Sequence, residues 1–484
     1  MVPMSKNKMQ LLLVLFCMLM IGIGILMLCY LPDLHRGYRC VILLPAVYIL
    51  CYILCISLMN PLGYDIKLIL LFVFFIKLYV LPAFVIFSGD FDLSGFNSGI
   101  EAYILDAVVI QILEMISVTI GLIVFTPKQK RKSREGFNRE TDRFVNRYVW
   151  RVIKACVAII IIAIILYPSL LLQFRPLFFF SDEQELAWKR TSEVAVSTMI
   201  PYVYYPINWL LAVTRIALAY LLTIYIYEKR TSKSSNGSLI LTTLEVAVIL
   251  VVLVPDDVAA SIIAALSLLI LVTGLYPDKR KLIVGFVVLL SSGLFIYMFL
   301  VIPFLSADRM SHGVSGLSLK LNAYFSGFIN MAGVLDMRTS EKAGYFVGDF
   351  LRSFPIIKGF FTPMSRSTEL FNLALGYDPV YFSQIIPLEG QAFFYFGYLG
   401  VLAIPLLTIK CCIHSYQKML LSKGTYDYFV YCFYTLFLAF GIVMYDFFLL
   451  FYLALSYVPL LLIKMVLIKK EKKGVSDEDI NLSG

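Results

Sequence analysis

From Met9 to Ile468 the chain is dominated by apolar runs close to the length that a helix needs to cross the hydrocarbon of a bilayer, about 20 residues. This feature restricts the fold more than any other. In lipid a backbone must satisfy its own hydrogen bonds, and uninterrupted apolar runs of this length do so as helices. Composition agrees. Hydrophobic residues make up 60% of the 484 and charged residues only 15%, against about a quarter charged in a soluble domain. The runs predict an all-α polytopic membrane protein, a single integral membrane domain over residues 1–484.

Twelve spans are expected: Met9–Leu31, Cys40–Met59, Ile66–Phe87, Ala102–Phe125, Val152–Phe174, Pro206–Tyr227, Leu239–Val254, Val258–Tyr276, Leu282–Leu305, Gln391–Ile409, Tyr426–Tyr445 and Phe447–Ile468. Charge parity fixes the two disputable divisions. "YEKRTSK" and "PDKRK" are both basic, so both belong on the cytoplasmic side, and an even number of spans must separate them. "VPDD" supplies the bend between them. Lys418 and Lys423 stand in the same relation to the tail "KKEKK", with the bend at Asp446. Both termini are then cytoplasmic. The first run follows Lys6 and Lys8, exceeds a signal-peptide core in length and lacks a small-residue cleavage site, so it reads as an uncleaved span.

The net charge of +9 is spread over the ends of the apolar runs and forms no patch of the kind that nucleic acid requires. The nine cysteines lie in or beside apolar runs, which excludes a disulfide framework in the loops. HExxH, a cysteine–histidine set and a GxSxG elbow are all missing, so neither a metal site nor a hydrolase nucleophile is indicated.

Two long segments fall on the extracytoplasmic side, 175–205 and 306–390. The larger is expected to be structured, because long loops in compact proteins are functional or disordered and this one carries helical patterning. Leu317, Leu321, Phe325, Phe328 and Ala332 form one stripe, capped by Ser315 or Ser318. A second short helix is expected over Tyr345–Phe354, before Pro355. A third is expected over Ser367–Leu375, stopped by Gly376. The apolar faces would rest on the membrane surface or the bundle mouth. With seven basic and seven acidic side chains the loop is charge-balanced.

Lys77, Glu114 and Arg215 fall near the middle of their spans. Lys77 and Glu114 sit at similar depth in neighbouring spans, which favours mutual neutralisation over a functional role. Arg215 lies halfway through span six. Glu245 is displaced from it by about 9 Å in depth. Arg215 is therefore a candidate phosphate ligand, with Asp106 as the alternative counter-ion. Arginines match phosphates bidentately.

In layout the chain resembles bacterial oligosaccharide repeat-unit polymerases of the O-antigen polymerase (Wzy) type. The resemblance rests on the span count, the late large loop, the smaller loop after span five, and the stretches "AYFSGFINMAGVL", "STELFNLALGYD" and "IIPLEGQAFFYFGYLGVLAIPLL". It implies a GT-C-like fold in the bacterial inner membrane. It also implies transfer of a glycan from undecaprenyl pyrophosphate to a second lipid-linked repeat unit, without cofactor. The implied partners are these lipid-linked oligosaccharides, membrane lipids and, in the family, a chain-length regulator. "VPDDVAAS" carries two aspartates and no arginine, so the pyrophosphate ligands are sought in Arg215, Arg309, Arg338 and Arg352. Asp336, Glu341, Glu389 and His312 are the candidate bases. The alternatives are an O-antigen ligase of similar layout and a lipid-linked oligosaccharide flippase or other transporter. A transporter usually shows repeated halves, and this sequence shows none.

Overall fold

The computed structural model describes residues 6–58, 64–88, 98–126, 137, 139–168, 170, 201–230, 241–242, 245–246, 258–276, 281, 285, 321–322, 325–337, 339–361, 363–376 and 384–462. Eight helices among them are long and apolar enough to cross a membrane, which makes this an all-α, multi-pass membrane protein.

In chain order the first elements are α1 (Lys6–Tyr30), a 3-10 turn (Arg36–Ile42), α2 (Leu43–Ser57), α3 (Tyr64–Phe75), a π-helical turn (Ile76–Val80) and α4 (Leu81–Ser88). A second 3-10 turn (Ser98–Tyr103) leads into α5 (Ile104–Phe125), followed by α6 (Arg139–Leu166), α7 (Pro201–Arg230) and α8 (Val258–Leu275). The loop contributes α9 (Phe328–Asp336), α10 (Lys342–Arg352), a 3-10 turn (Lys358–Phe361) and α11 (Ser367–Leu375). The chain returns to the bundle with α12 (Leu388–Leu421), α13 (Thr425–Met444) and α14 (Phe447–Ser456). Apart from residues 241–242, 245–246 and 285, expected spans seven and nine lie outside the described residues, as does the segment 175–200.

Helix α12 packs on α5 and α13, α8 lies against α13, and α6 pairs with α7. The two faces of α5 show why it is central. Ala107, Val108, Gln111, Glu114, Met115, Val118 and Leu122 recur at helical spacing and are buried, whereas Leu105, Val109, Ile116, Ile120 and Val124 are exposed. Exposed aliphatic side chains over that length are what a lipid-facing surface presents. Asp446 makes the expected bend. It caps α14, its Oδ1 accepting from the Leu449 amide at 2.7 Å. Helix α12 is kinked at Gly397, whose φ of 60° and ψ of −150° only glycine adopts without strain.

The third loop helix has the expected bounds, and Gly376 stops it with a φ of 86°. The second starts three residues early, at Lys342. The first departs from expectation. Its stripe is broken at Ser326, a non-glycine residue at φ 46°, and α9 begins only at Phe328. Every residue from Phe328 to Val334 is buried, because α9 is packed into the bundle against α5 and α11 as well as α12. The break lets the chain come close. A Cβ added at Gly327 would stand 2.1 Å from Leu81 Cδ2 and 2.5 Å from Asn322 Oδ1. Gly327→Ala is therefore expected to destabilise by about 1–3 kcal/mol through overpacking, read as a lower midpoint in a detergent thermal-unfolding assay.

Candidate active site

At the end of the bundle where α12 and α14 begin, the loop roofs an open cavity of about 260 Å³. That volume suits a charged head group rather than a whole oligosaccharide. Arg352 closes α10. Lys358 opens the following 3-10 turn, and Arg366 occupies the N-cap position of α11. All three line the cavity, together with Asp349, Gln391, Asp446 and Tyr452.

Asp349 ties the roof to the bundle. Its Oδ2 accepts from Ser367 Oγ at 2.5 Å, Tyr395 Oη at 2.6 Å and Gln391 Nε2 at 3.3 Å. Burial raises its pKa, and the hydroxyl donors of Ser367 and Tyr395 oppose the rise. Gln391 passes the restraint on, accepting the Phe448 amide at 3.0 Å through Oε1. Arg352 Nη1 donates to the Met364 carbonyl at 2.7 Å, which holds the turn before α11. Arg366 is partly balanced by Glu369, 3.5 Å away and half-exposed.

Lys358 lies 4.4 Å from the Tyr452 ring and 5.1 Å from that of Tyr205. Burial and the neighbouring cations Arg366 and Arg352 push its pKa down to about 7. Asp446 is pushed the other way, up to about 7, by burial. A cation cluster with an acid poised near neutrality can receive an anion and a proton together.

A second polar group lies deeper. Lys77, on the π-helical turn, donates to Glu114 Oε2 of α5 and to Glu389 Oε1 of α12, each at 2.8 Å. All three are fully buried. The expected neutralisation of Lys77 by Glu114 is present, and Glu389 adds a third partner. Gln111 Nε2 donates to Glu389 Oε1 and to the Ser326 carbonyl, both at 3.4 Å.

Five of the eight residues singled out in the sequence are described, and of these five Arg352 alone lines the cavity. Glu389 begins α12 and faces Lys77. Glu341 is exposed at the far end of α10, roughly 16 Å along the helix from Arg352. Asp336 ends α9, half-buried. Arg215 is buried in α7, about 15 Å along the helix from Tyr205, and does not reach the cavity. His312, Arg309 and Arg338 lie outside the described residues. Nothing in the sequence marks out Lys358, Arg366, Asp349 or Asp446 as site residues. The three in the loop read as ordinary members of a charge-balanced segment, and Asp446 read only as a bend. Among the described residues no group of three or more His, Cys, Asp or Glu side chains is placed to hold a metal ion.

No family model matches the chain, and no curated protein or solved structure is significantly similar to it.

Proposed function

We propose that this protein is a GT-C-like glycosyltransferase of the bacterial inner membrane. It polymerises undecaprenyl-pyrophosphate-linked repeat units into a surface polysaccharide on the face away from the cytosol. The observation that carries this reading is the convergence of Arg352, Lys358 and Arg366 on one cavity roofed by the loop. Arg366 and Arg352 both disfavour the charge on Lys358, and a pyrophosphate would relieve that repulsion. They would stabilise the charge that develops as the carrier leaves. The acceptor sugar hydroxyl attacks the anomeric carbon of the donor. The bond to the pyrophosphate oxygen breaks, the carrier departs with the electron pair, and Asp446 takes the hydroxyl proton. Asp349 takes its donors from Ser367, Gln391 and Tyr395 through Oδ2 and acts by positioning the roof.

Two groups with pKa near 7 give a specific pH dependence. Lys358 carries its charge below about 7, and Asp446 is an ionised base above about 7. The profile of kcat/KM is expected to be bell-shaped and centred near neutrality. Lys358→Arg keeps the cation at all working pH and should extend the alkaline limb by more than one unit. A profile unchanged by that substitution would exclude Lys358 from the site.

Chain extension of lipid-linked repeat units by the purified protein in detergent is the test of the reaction itself. A polymerase extends them without a sealed membrane. A transporter yields no longer product, and a ligase moves finished polymer to a new acceptor instead.

A further inference from the structure

The Lys77–Glu114–Glu389 cluster has no part in the reaction above, and its charges do not balance. One ammonium faces two carboxylates, and no other charged side chain among the described residues pairs with any of the three. With both carboxylates ionised, one negative charge would be left uncompensated at full burial, which is strongly unfavourable.

The hydrogen bonds fail in the same sense. Glu114 Oε1, Glu389 Oε2 and Gln111 Oε1 are buried and receive no donor among the described residues. Gln111 is itself fully buried, and its amide is held in the cluster by its bond to Glu389. The Ser326 carbonyl accepts from Gln111, and the Ser326 hydroxyl is itself buried without a partner among the described residues. Three buried acceptors thus lack a donor among the described residues. The cluster lacks one positive charge and at least one donor, and a carboxyl proton supplies both. The setting fits such a role, since π-turns such as the one that carries Lys77 recur at functional sites.

We infer that Lys77, Glu114 and Glu389 form a binding site for a single exchangeable proton shared between the two carboxyl groups. The site is neutral when loaded and carries one negative charge when empty. Glu389 and Gln391 share the first turn of α12. Proton occupancy therefore sets the charge just behind the Gln391–Asp349 hydrogen bond.

Infrared spectroscopy of the full-length protein in detergent tests this directly. At neutral pH solvent-exposed glutamates are ionised, so a protonated glutamate band marks a buried site. Uniform carbon-13 glutamate labelling should shift one carboxylic C=O band away from those of aspartate, and exchange into deuterium oxide should move it again. Glu114→Gln and Glu389→Gln should each abolish that band, whereas Asp349→Asn should leave it. The labelled wild-type spectrum decides the matter even where a variant fails to fold. Absence of a glutamate carboxyl band would overturn the proposal. So would a thermal stabilisation by sodium over choline chloride that Glu389→Gln removes, since a metal cation would then hold the site. Because the readout is spectroscopic, it is independent of whether the protein polymerises glycans.

Discussion

Arg352→Ala is expected to reduce chain extension by about 10²–10³-fold, the range seen when one preorganised stabiliser of a developing negative charge is removed. Arg352 is the cation on the cavity wall that a packed helix delivers most directly, standing at the last position of α10. That helix is held from inside by Asp349, which reaches Ser367, Gln391 and Tyr395, so the guanidinium presents a fixed charge. The loss should fall on kcat as well as KM, because the interaction strengthens as the pyrophosphate departs. Arg352 also holds the Met364 carbonyl, and its alanine variant loses that restraint too. Arg352→Lys separates the two effects. It restores a charge without the planar fork, and partial recovery of rate identifies an electrostatic contribution. If the variant extends lipid-linked oligosaccharides at the wild-type rate and normal abundance, the cavity is not the pyrophosphate site.

Lys77→Met is expected to lower stability by about 3–5 kcal/mol, the cost of removing one partner from a buried ionic group. Both carboxylates lose their 2.8 Å donor at once, and neither reaches water. In a marginally stable protein that loss should deplete the protein from membranes, measured as abundance and as the detergent unfolding midpoint. Glu389→Gln should be far milder. It leaves Lys77 paired with Glu114 at zero net charge and keeps an amide in the carboxyl's place. Equal damage from the two substitutions would mean that the cluster acts through shape rather than charge.

The effects differ in kind because the two sites are built differently. The cavity gathers three cations at an opening where a ligand can reach them, so its variants should change rate. The buried triad is closed off within the bundle, so its variants should change stability first.

Much of this architecture can be read in the linear chain. Spans announce themselves through apolar length. Gly376 stops α11 because a left-handed residue ends a helix most easily as glycine. Asp446 turns the chain between two apolar runs as a helix cap. The Lys77–Glu114 pair follows from equal depth in adjacent antiparallel spans. All of these depend on residues near one another in sequence, or on a single coordinate, depth in the membrane. Tertiary structure alone brought Glu389 to Lys77, 312 positions away. It also enclosed α9 against α5, left Arg215 out of the cavity, and selected Arg352, Lys358 and Arg366 from a loop of balanced charge. Local periodicity reports which face of a helix is apolar. It carries no information about which distant side chain will arrive at that face, since this is set by the packing of whole helices.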